Sequence, residues 1–284
     1  MPEPQHALTD RTLVISGASR GIGLAIAVAA GAQGANVVLL AKTDQPHPRL
    51  PGTVHTAVAE VEAAGGRAAA VVGDVRDEDT VRRVVDTALE RFGGIDVCVN
   101  NASAIATEPT EQLSAKKFDL MMDINLRGTF LLTKACLPSL RASAAARVLT
   151  VAPPVNLNPR WLGEHPSYTL SKYGMTLLSQ GWAAEYADTA NIAFTCLWPQ
   201  TFIATSAVAA LPDGDRQLAS ARSPRIMADA AVALLTQASA KVSGKCYLDA
   251  EALTEFAGVT DFADYGGGAD PTLDLFLDRP KDPR

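Results

Sequence analysis

The sequence has few residues that could bind a metal or form a disulfide. None of its cysteines belongs to a Cys-x-x-Cys or Cys/His pattern with metal-ligand spacing, and the histidines form no ligand group. The cysteines lie far apart in apolar segments, at Cys98, Cys136, Cys196 and Cys246. This pattern argues against a metal site and predicts free, buried thiols in a reducing compartment.

Positive charge and long apolar runs are also scarce. The formal net charge is −6 with the signs interspersed, so the chain has no basic stripe of the kind that binds nucleic acid. No apolar run reaches the length of a membrane span, and the N-terminus has no apolar signal core. We therefore predict a cytoplasmic protein that neither binds nucleic acid nor spans a membrane.

Internal repeats and linkers are absent as well, which predicts a single domain over residues 1–284. Short β-branched runs alternate with alanine-rich helical runs, a pattern typical of the α/β class. Seven strands are predicted, at residues 12–16, 36–41, 68–72, 95–99, 147–151, 192–197 and 245–248. With helices between them, they predict a Rossmann-like, doubly wound parallel sheet flanked by helices, with right-handed crossovers.

The segments between the strands are predicted to be mostly helical. Asp77 or Asp79 is expected to cap a helix that ends near residue 92. The stretch at 42–52 is rich in proline and is expected to be irregular, as is the segment at 198–224. From residue 249 the tail is acidic and glycine-rich, and we expect it to pack over its own core or over a sister subunit. The other helices are expected at residues 22–33, 54–64, 118–140, 167–186 and 226–238.

A glycine-rich turn, Gly17-Ala18-Ser19-Arg20-Gly21-Ile22-Gly23, lies between the first predicted strand and the first predicted helix. Glycines at this place clear the backbone for a pyrophosphate at a helix N-terminus. The turn by itself is also compatible with a plain loop.

A tyrosine and a lysine, Tyr168 and Lys172, stand four residues apart. This spacing places a phenol and an ammonium on one face of a helix. A tyrosine with its usual pKa of about 10 is a poor base at neutral pH, and a neighbouring ammonium favours the phenolate. The pair alone is also compatible with an exposed amphipathic face. Together, a candidate acid/base pair and a candidate nucleotide-binding turn predict an oxidoreductase.

In this order the motifs resemble those of the short-chain dehydrogenase/reductase family. The TGxxxGIG motif of the family corresponds to residues 16–23, NNAG to residues 100–103, and YxxxK to residues 168–172, and the resemblance covers about residues 10–250. Within the family, the chain is most similar to the hydroxysteroid dehydrogenase-like branch, whose animal members carry a C-terminal sterol-carrier domain. The likeness lies in residues 41–48, 153–159, 168–175 and 197–199. Since the chain ends before such a domain could fit, the resemblance implies a catalytic domain alone.

The resemblance also assigns roles to individual residues. Asp74 and Val75 would contact the adenine, and Asn101 would line the nicotinamide ribose, although a helix cap and a turn residue are the alternatives. The segment at 199–205 corresponds to the family's cofactor loop, and residues 202–224 would form a lid over an apolar substrate, so the lid region spans about 199–224. The implied cofactor-binding residues are Gly17, Ser19, Arg20, Gly21, Ile22, Gly23, Lys42, Asp74, Val75, Asn101, Lys172, Pro199, Thr201 and Thr205.

Charge at the end of the second strand predicts which cofactor is preferred. A carboxylate there would read a ribose 2′-hydroxyl, whereas cations suit a 2′-phosphate. Lys42 stands at this strand end and Arg20 lies in the glycine turn, so we predict NADP(H) in preference to NAD(H). Asp44 argues weakly against this choice, and Lys42 is also compatible with an ordinary solvated lysine.

For catalysis, the resemblance implies Tyr168 as general acid/base, Lys172 as its partner and ribose ligand, and Asn125 as the residue that keeps a water in the proton relay. A locally bonded helix-interior asparagine is the alternative for Asn125. The family's fourth catalytic member, a serine after the fifth strand that hydrogen-bonds the substrate oxygen, is missing. Ala152 and Pro153 follow that strand, and neither side chain has a donor.

The substitute for this serine is left open among Thr150, Asn156 and Asn158.

Two functions are therefore weighed. One is an NADP(H)-dependent reductase or dehydrogenase acting on a hydrophobic carbonyl or alcohol. The other is a catalytically weakened regulatory or interaction protein on the same nucleotide-binding scaffold. The resemblance further implies a homodimer or homotetramer that pairs through the long helices at 118–140 and 167–186.

Overall fold

The structure, a computed structural model, describes residues 7–48, 50–211 and 213–278. The ends of the predicted single domain, including residues 279–284 of the tail, lie outside the described residues. Its strands are β1 (Thr12–Ser16), β2 (Asn36–Ala41), β3 (Arg67–Val72), β4 (Val97–Asn100), β5 (Arg147–Val151), β6 (Ala193–Trp198) and β7 (Cys246–Leu248). They pair in parallel in the order β3-β2-β1-β4-β5-β6-β7. The predicted Rossmann-like seven-stranded sheet is confirmed.

Helices connect the strands and cover the sheet. They are α1 (Gly21–Ala32), α2 (Val54–Ala63), α3 (Glu78–Phe92), α4 (Ala115–Met121), α5 (Gly128–Ala142), α6 (Pro159–Glu164), α7 (Pro166–Glu185), α8 (Ser206–Ala209), α9 (Gly214–Ala219), α10 (Arg225–Leu235), α11 (Ser239–Val242) and α12 (Asp249–Ala257). A π-helix, Met122–Arg127, separates α4 from α5, and a short 3₁₀ helix spans Ala263–Tyr265. Among the described helices, none combines the length and hydrophobicity that a membrane crossing requires.

Strand residues alternate between two hydrophobic cores because successive side chains point to opposite faces of a sheet. Leu13 and Ile15 of β1 pack with α1, α2, α10 and α12, while Val14 packs with α3, α5 and α7. All five β1 residues are buried, as expected for a parallel strand that helices cover on both faces. Cys98, Cys136 and Cys196 are buried and Cys246 is partly buried, and all four are free thiols.

Local signals set most helix boundaries. The Asp77 side chain accepts hydrogen bonds from the amides of Asp79 and Thr80 and thereby caps α3, which ends at Gly93 in the left-handed conformation. Pro166 occupies the first turn of α7. Amides in this turn have no acceptor within the helix, so the missing N–H of proline costs no helical hydrogen bond.

Four details differ from the expectation. The helix predicted at 118–140 is two α-helices joined by the π-helix, and it begins earlier because Ser114 caps it at Ala115. No helix was predicted between β5 and residue 167, but this segment contains α6, and the segment expected to be irregular at 198–224 contains α8 and α9. The tail contains α12, since the Glu251 carboxylate accepts a hydrogen bond from the Leu248 amide at its start.

Candidate active site

A cavity of about 530 Å³ opens at the carboxyl ends of the strands. It lies where the strand order changes direction between β1 and β4, which is where doubly wound sheets bind ligands. The sequence-predicted residues on its wall are Gly17, Ser19, Arg20, Gly21, Ile22, Lys42, Asp74, Val75, Asn101, Tyr168, Lys172, Pro199 and Thr205. The structure thus brings most of the candidate residues together.

Gly23, Asn125 and Thr201 lie behind the cavity wall rather than on it. Gly23 leaves no room for a side chain, because a Cβ atom there would lie 2.4 Å from Asn101 Nδ2 and 2.6 Å from the Gly17 carbonyl oxygen. Thr201 is buried and bridges to Leu273, and within the described part of the chain its hydroxyl has no hydrogen-bond partner.

The glycine turn is held open by Asn101. Its Nδ2 donates to the carbonyl oxygens of Ser16 at 2.9 Å and Gly17 at 3.1 Å. Gly17 adopts φ +68°, and a Cβ atom there would lie 2.9 Å from the Ala102 Cα. Only glycine suits a left-handed backbone packed this closely. The first amides of α1 therefore face the cavity without side chains in the way, which is the arrangement that binds phosphate.

Arg20 and Lys42 both reach the cavity, but each is already engaged. The Arg20 guanidinium donates to Thr43 Oγ1 at 3.0 Å and to the Gly52 carbonyl oxygen at 3.0 Å. Lys42 Nζ lies 3.0 Å from Asp74 Oδ2. Burial raises the pKa of Asp74, but hydrogen bonds from Arg76 and Lys42 outweigh it and hold that pKa well below its usual range. Two cations and one carboxylate thus line this end of the cavity.

Tyr168 and Lys172 lie on one face of α7, as their spacing predicts, and both are almost fully buried, with 5% and 2% exposure. Lys172 Nζ donates to the Val151 carbonyl oxygen at 2.7 Å and lies 5.0 Å from the centroid of the Trp198 ring. Burial lowers the pKa of Lys172 to about 7, against the opposing effects of Asp274 and Cys196.

The expected lowering of the Tyr168 pKa by Lys172 is not what the structure shows. Burial raises the pKa of the Tyr168 phenol well above its usual value, and the charge of Asp274 raises it further. The nearby Ser103 side chain opposes this rise of the pKa only in part. Burial dominates because it disfavours the charged forms of phenol and ammonium alike.

Asn125 is fixed at the back of the site within the π-helix, a form that is frequent at functional sites. Its side chain is fully buried. Oδ1 accepts from the Ala104 amide at 2.7 Å, and Nδ2 donates to the Ala104 carbonyl oxygen at 3.0 Å and to Ser171 Oγ at 2.9 Å. Asn125 thus ties the segment after β4 to α7, one helical turn from Tyr168.

None of the residues considered for the missing serine faces the cavity. Ala152 is buried against Met175 and Cys196 and does not line the cavity. Thr150 lies inside β5, where its hydroxyl accepts from Asn100. Asn156 and Asn158 are directed towards the tail, where both donate to Asp278. The structure therefore places no hydroxyl or amide of these residues on the cavity wall.

Among the cavity residues to which sequence reasoning gave no role, Ser103 and Asp274 both affect Tyr168. The Ser103 side chain lowers the pKa of Tyr168. Asp274 comes from the tail, and burial raises its pKa to about 8. A signal for it was present, since Asp274 is the one charge in the run Leu273-Asp274-Leu275-Phe276-Leu277. An isolated acid in an apolar run is rarely buried without a reason.

A metal site is absent from the described residues, where no group of three or more histidine, cysteine or acidic side chains could hold an ion. His165, the histidine nearest Tyr168 in sequence, bonds the Thr107 carbonyl oxygen. The histidines therefore stay without a catalytic role.

The short chain dehydrogenase family matches this chain over residues 11–215. Hydroxysteroid dehydrogenase-like protein 2 of Xenopus laevis is 48% identical over 275 residues, which cover 95% of this chain and 64% of that protein. The chain thus spans less than two thirds of the length of this relative. A short chain dehydrogenase from Mycobacterium thermoresistibile has 45% identity and a TM-score of 0.89, and the match covers 97% of this chain and 98% of that one.

Two more distant solved structures hold different cofactors. A metagenomic short-chain oxidoreductase in complex with NADP has 26% identity and a TM-score of 0.68, with 85% of this chain and 97% of that chain covered. A short chain dehydrogenase from Mycobacterium paratuberculosis bound to NAD also has 26% identity, with a TM-score of 0.72 and the same coverage.

Proposed function

The chain belongs to the short-chain dehydrogenase family, a family of oxidoreductases, and from this premise we propose that it exchanges a hydride between NADP(H) and a hydrophobic carbonyl or alcohol. The observation that carries the proposal is the cavity itself. Its wall joins the glycine turn to Tyr168 and Lys172, so a nucleotide site and a proton-transfer pair share one enclosed space.

The residues present fit a dinucleotide. The amides at the start of α1 and the side-chain-free surface at Gly17 and Gly21 would hold the pyrophosphate. Asp74 and Val75 would contact the adenine, and Thr205, which also lines the cavity, would bind a phosphate or the carboxamide. When bound, the nicotinamide supplies or accepts the hydride and in its oxidised form adds a positive charge to the cavity.

The protein's own groups then handle the proton. During reduction the Tyr168 hydroxyl would give a proton to the substrate oxygen, and during oxidation the Tyr168 phenolate would take one. Lys172 would hold a ribose, and its protonated form would favour the phenolate during oxidation. Asn125 fixes the backbone beside them. The lid at 199–224 contributes Phe202, Val208 and Leu211 to the wall, and these apolar side chains suit a hydrophobic substrate and exclude water.

A preference for NADP(H) is proposed from Arg20 and Lys42. Asp44, the expected counter-argument, bonds His55 at 2.7 Å and does not line the cavity. Asp74 offsets part of the positive charge. We expect Lys42→Ala to weaken NADPH binding by about tenfold relative to NADH, because it removes one charge-assisted contact worth on the order of 1.5 kcal/mol. Fluorescence titration with both cofactors measures the ratio, and an unchanged ratio would remove the argument.

Self-association is proposed through α4, α5 and α7. Leu170 and Leu177 on α7 are 57% and 60% exposed, and Phe130 on α5 is 41% exposed.

A cytoplasmic location stays a prediction of the composition. The alternative function, a catalytically weakened regulatory protein, was considered because Ala152 stands where the family has a serine. Ala152 lies outside the cavity.

Single-turnover oxidation of bound NADPH across a panel of aldehydes, ketones and enoyl compounds tests the function. We expect Tyr168→Phe to lower the rate by about two to four powers of ten, the usual contribution of a general acid. Tyr186→Phe, at the far end of α7 and outside the cavity, serves as the matched control and should keep the wild-type rate. Background rates in all three proteins would reject the enzyme.

A further inference from the structure

The C-terminal segment, residues 272–278, returns across the sheet and forms part of the cavity wall. The Asp274 amide donates to the Gln200 carbonyl oxygen at 3.1 Å, and Trp198 Nε1 donates to the Leu275 carbonyl oxygen at 3.2 Å. The segment is thus hydrogen-bonded to the end of β6 and to the beginning of the lid.

Phe276 anchors this segment against α7. The side chain is 1% exposed, and its ring centroid lies 5.1 Å from that of Tyr173, 5.9 Å from Trp198 and 6.1 Å from Tyr168, on which it stacks. Aromatic contacts of this kind add to the apolar burial. Two residues further on, Asp278 accepts a hydrogen bond from Trp161 Nε1 at 2.9 Å. The position of Asp274 is therefore set from both sides.

This anchoring places the Asp274 carboxyl in the same cavity wall as Tyr168 and Lys172. The residue is 9% exposed. Oδ1 accepts from the Leu275 amide at 2.6 Å, and among the described residues Oδ2 has no hydrogen-bond partner. The carboxyl group therefore keeps one oxygen for a ligand.

The ionisable groups around Asp274 come from two helices. Tyr168 and Lys172 of α7 face it, as does Asp249 at the start of α12, which in turn interacts with Arg222. Burial is the largest influence and Asp249 adds to it, so the pKa of Asp274 is about 8 although Lys172 lowers it. At neutral pH the carboxyl therefore carries its proton and is a hydrogen-bond donor.

We propose that the protonated carboxyl group of Asp274 donates a hydrogen bond to the substrate oxygen, the role that a serine after β5 has elsewhere in the family. The inference rests on the proposed function. The proton stays on Asp274 while Tyr168 exchanges its own proton with the substrate. Ser103, another hydroxyl on the cavity wall, is exposed, and its Oγ donates to the Ala104 carbonyl oxygen at 3.5 Å. A neutral acid held in an apolar wall is a fixed donor that needs no reorganisation.

The experiment compares Asp274→Asn with Asp274→Ala in the full chain. The asparagine amide keeps a donor of the same shape, whereas alanine removes it. We expect Asp274→Ala to lower kcat/KM by about a hundredfold and Asp274→Asn to stay within about tenfold of wild type. Wild-type activity should decline above the Asp274 pKa of about 8, where the ionised carboxyl no longer donates, and Asp274→Asn should lack this decline. NADPH binding should be unchanged in both variants.

Asp270→Asn is the matched control, since it removes an exposed carboxylate just before the segment and should behave as wild type. If Asp274→Ala keeps wild-type activity that still depends on Tyr168, this inference fails and the proposed function stands. If Asp274→Asn is as impaired as Asp274→Ala, or if both lose cofactor binding, the donor role is also rejected. Background rates in wild type and Tyr168→Phe alike would reject both proposals.

Discussion

Burial sets the protonation of the side chains around the proposed reaction centre. Lys172 has a pKa of about 7 and Asp274 one of about 8, so each moves from its ordinary value towards the neutral form. Neutral groups avoid the large free-energy cost of isolated charges in an apolar site. The cavity is thus lined by groups that hold or release a proton near neutral pH, which suits general acid/base chemistry.

We predict that Asp274→Asn changes the pH dependence of stability. The folded-state pKa of Asp274 is about 8 and its ordinary value is 3.8, so between these limits the folded protein keeps a proton that the unfolded chain releases. The favourable contribution of the neutral carboxyl is full below the lower value and is lost as the pH rises to the upper one. The variant has no such loss. Its free energy of unfolding relative to wild type should therefore rise with pH, by at most about 1.4 kcal/mol per unit.

Urea unfolding at about pH 5 and about pH 8 measures this difference. The same experiment on Asp270→Asn should show a constant difference, since that carboxylate is exposed. A stability difference between wild type and Asp274→Asn that is equal at both pH values would contradict the burial of an ionisable group.

At the residue scale, the sequence could predict what local spacing determines. Tyr168 and Lys172 share a face because a helix places residues four apart together. Asp274 could not be predicted, since it stands 102 residues after Lys172, and tertiary contacts such as the packing of Phe276 bring it there. The direction of the Tyr168 pKa shift was wrong for the same reason, because burial is a property of the folded chain.

The turn between β1 and α1 depends on close packing at Gly23. We predict that Gly23→Ala costs about 1–3 kcal/mol of unfolding free energy and weakens NADPH binding, because the new methyl group meets the Gly17 carbonyl oxygen and the backbone must shift. Denaturant unfolding and a fluorescence titration measure the two effects.

Gly181→Ala is the matched control for this substitution. Gly181 also lies within a helix, α7, but a Cβ atom there has no neighbour within 4 Å. Alanine should therefore stabilise the protein by about 0.5–1 kcal/mol through its higher helix propensity. If Gly23→Ala were as stable as Gly181→Ala and bound NADPH normally, the close approach would be without consequence.

At the element scale, all seven strands were predicted, and the bounds of β1, β2 and β5 were exact. These three strands are buried along their whole length, and their apolar runs gave their bounds directly. The equally buried β4 and β6 lie one or two residues from their predicted bounds. The π-helix Met122–Arg127 could not be foreseen, because its sequence continues the helical pattern on both sides. α12 was hidden by the acidic and glycine-rich composition around it.

For the whole molecule, the strand order determines where the site lies. The reversal between β1 and β4 separates two loops and opens the crevice. The family resemblance implied this architecture and most of the cavity wall. It did not reveal that the last described residues complete the cavity wall. The described tail packs over its own core through Phe276 and thereby reaches the cavity.

The outer face of α7 leads to a prediction about assembly. Leu170 and Leu177 stand seven residues apart, so they lie on one side of the helix, and both are more than half exposed. Two such leucines on one helix face are an apolar surface that association would bury. We predict that Leu170→Arg combined with Leu177→Arg raises the dissociation constant of the oligomer at least tenfold, which corresponds to about 1.4 kcal/mol. Sedimentation velocity over a range of protein concentrations measures the shift.

Leu89→Arg provides the control for this assembly prediction. Leu89 is 43% exposed on α3, a helix outside the proposed interface, so it tests whether an added arginine alone disturbs association. This variant should sediment as wild type does, and all three proteins should unfold at similar denaturant concentrations because each substitution adds a charge to an exposed position. If Leu89→Arg dissociates as readily as the double variant, the effect is one of net charge. If the double variant keeps the wild-type sedimentation coefficient at every concentration, the α7 face is not the interface.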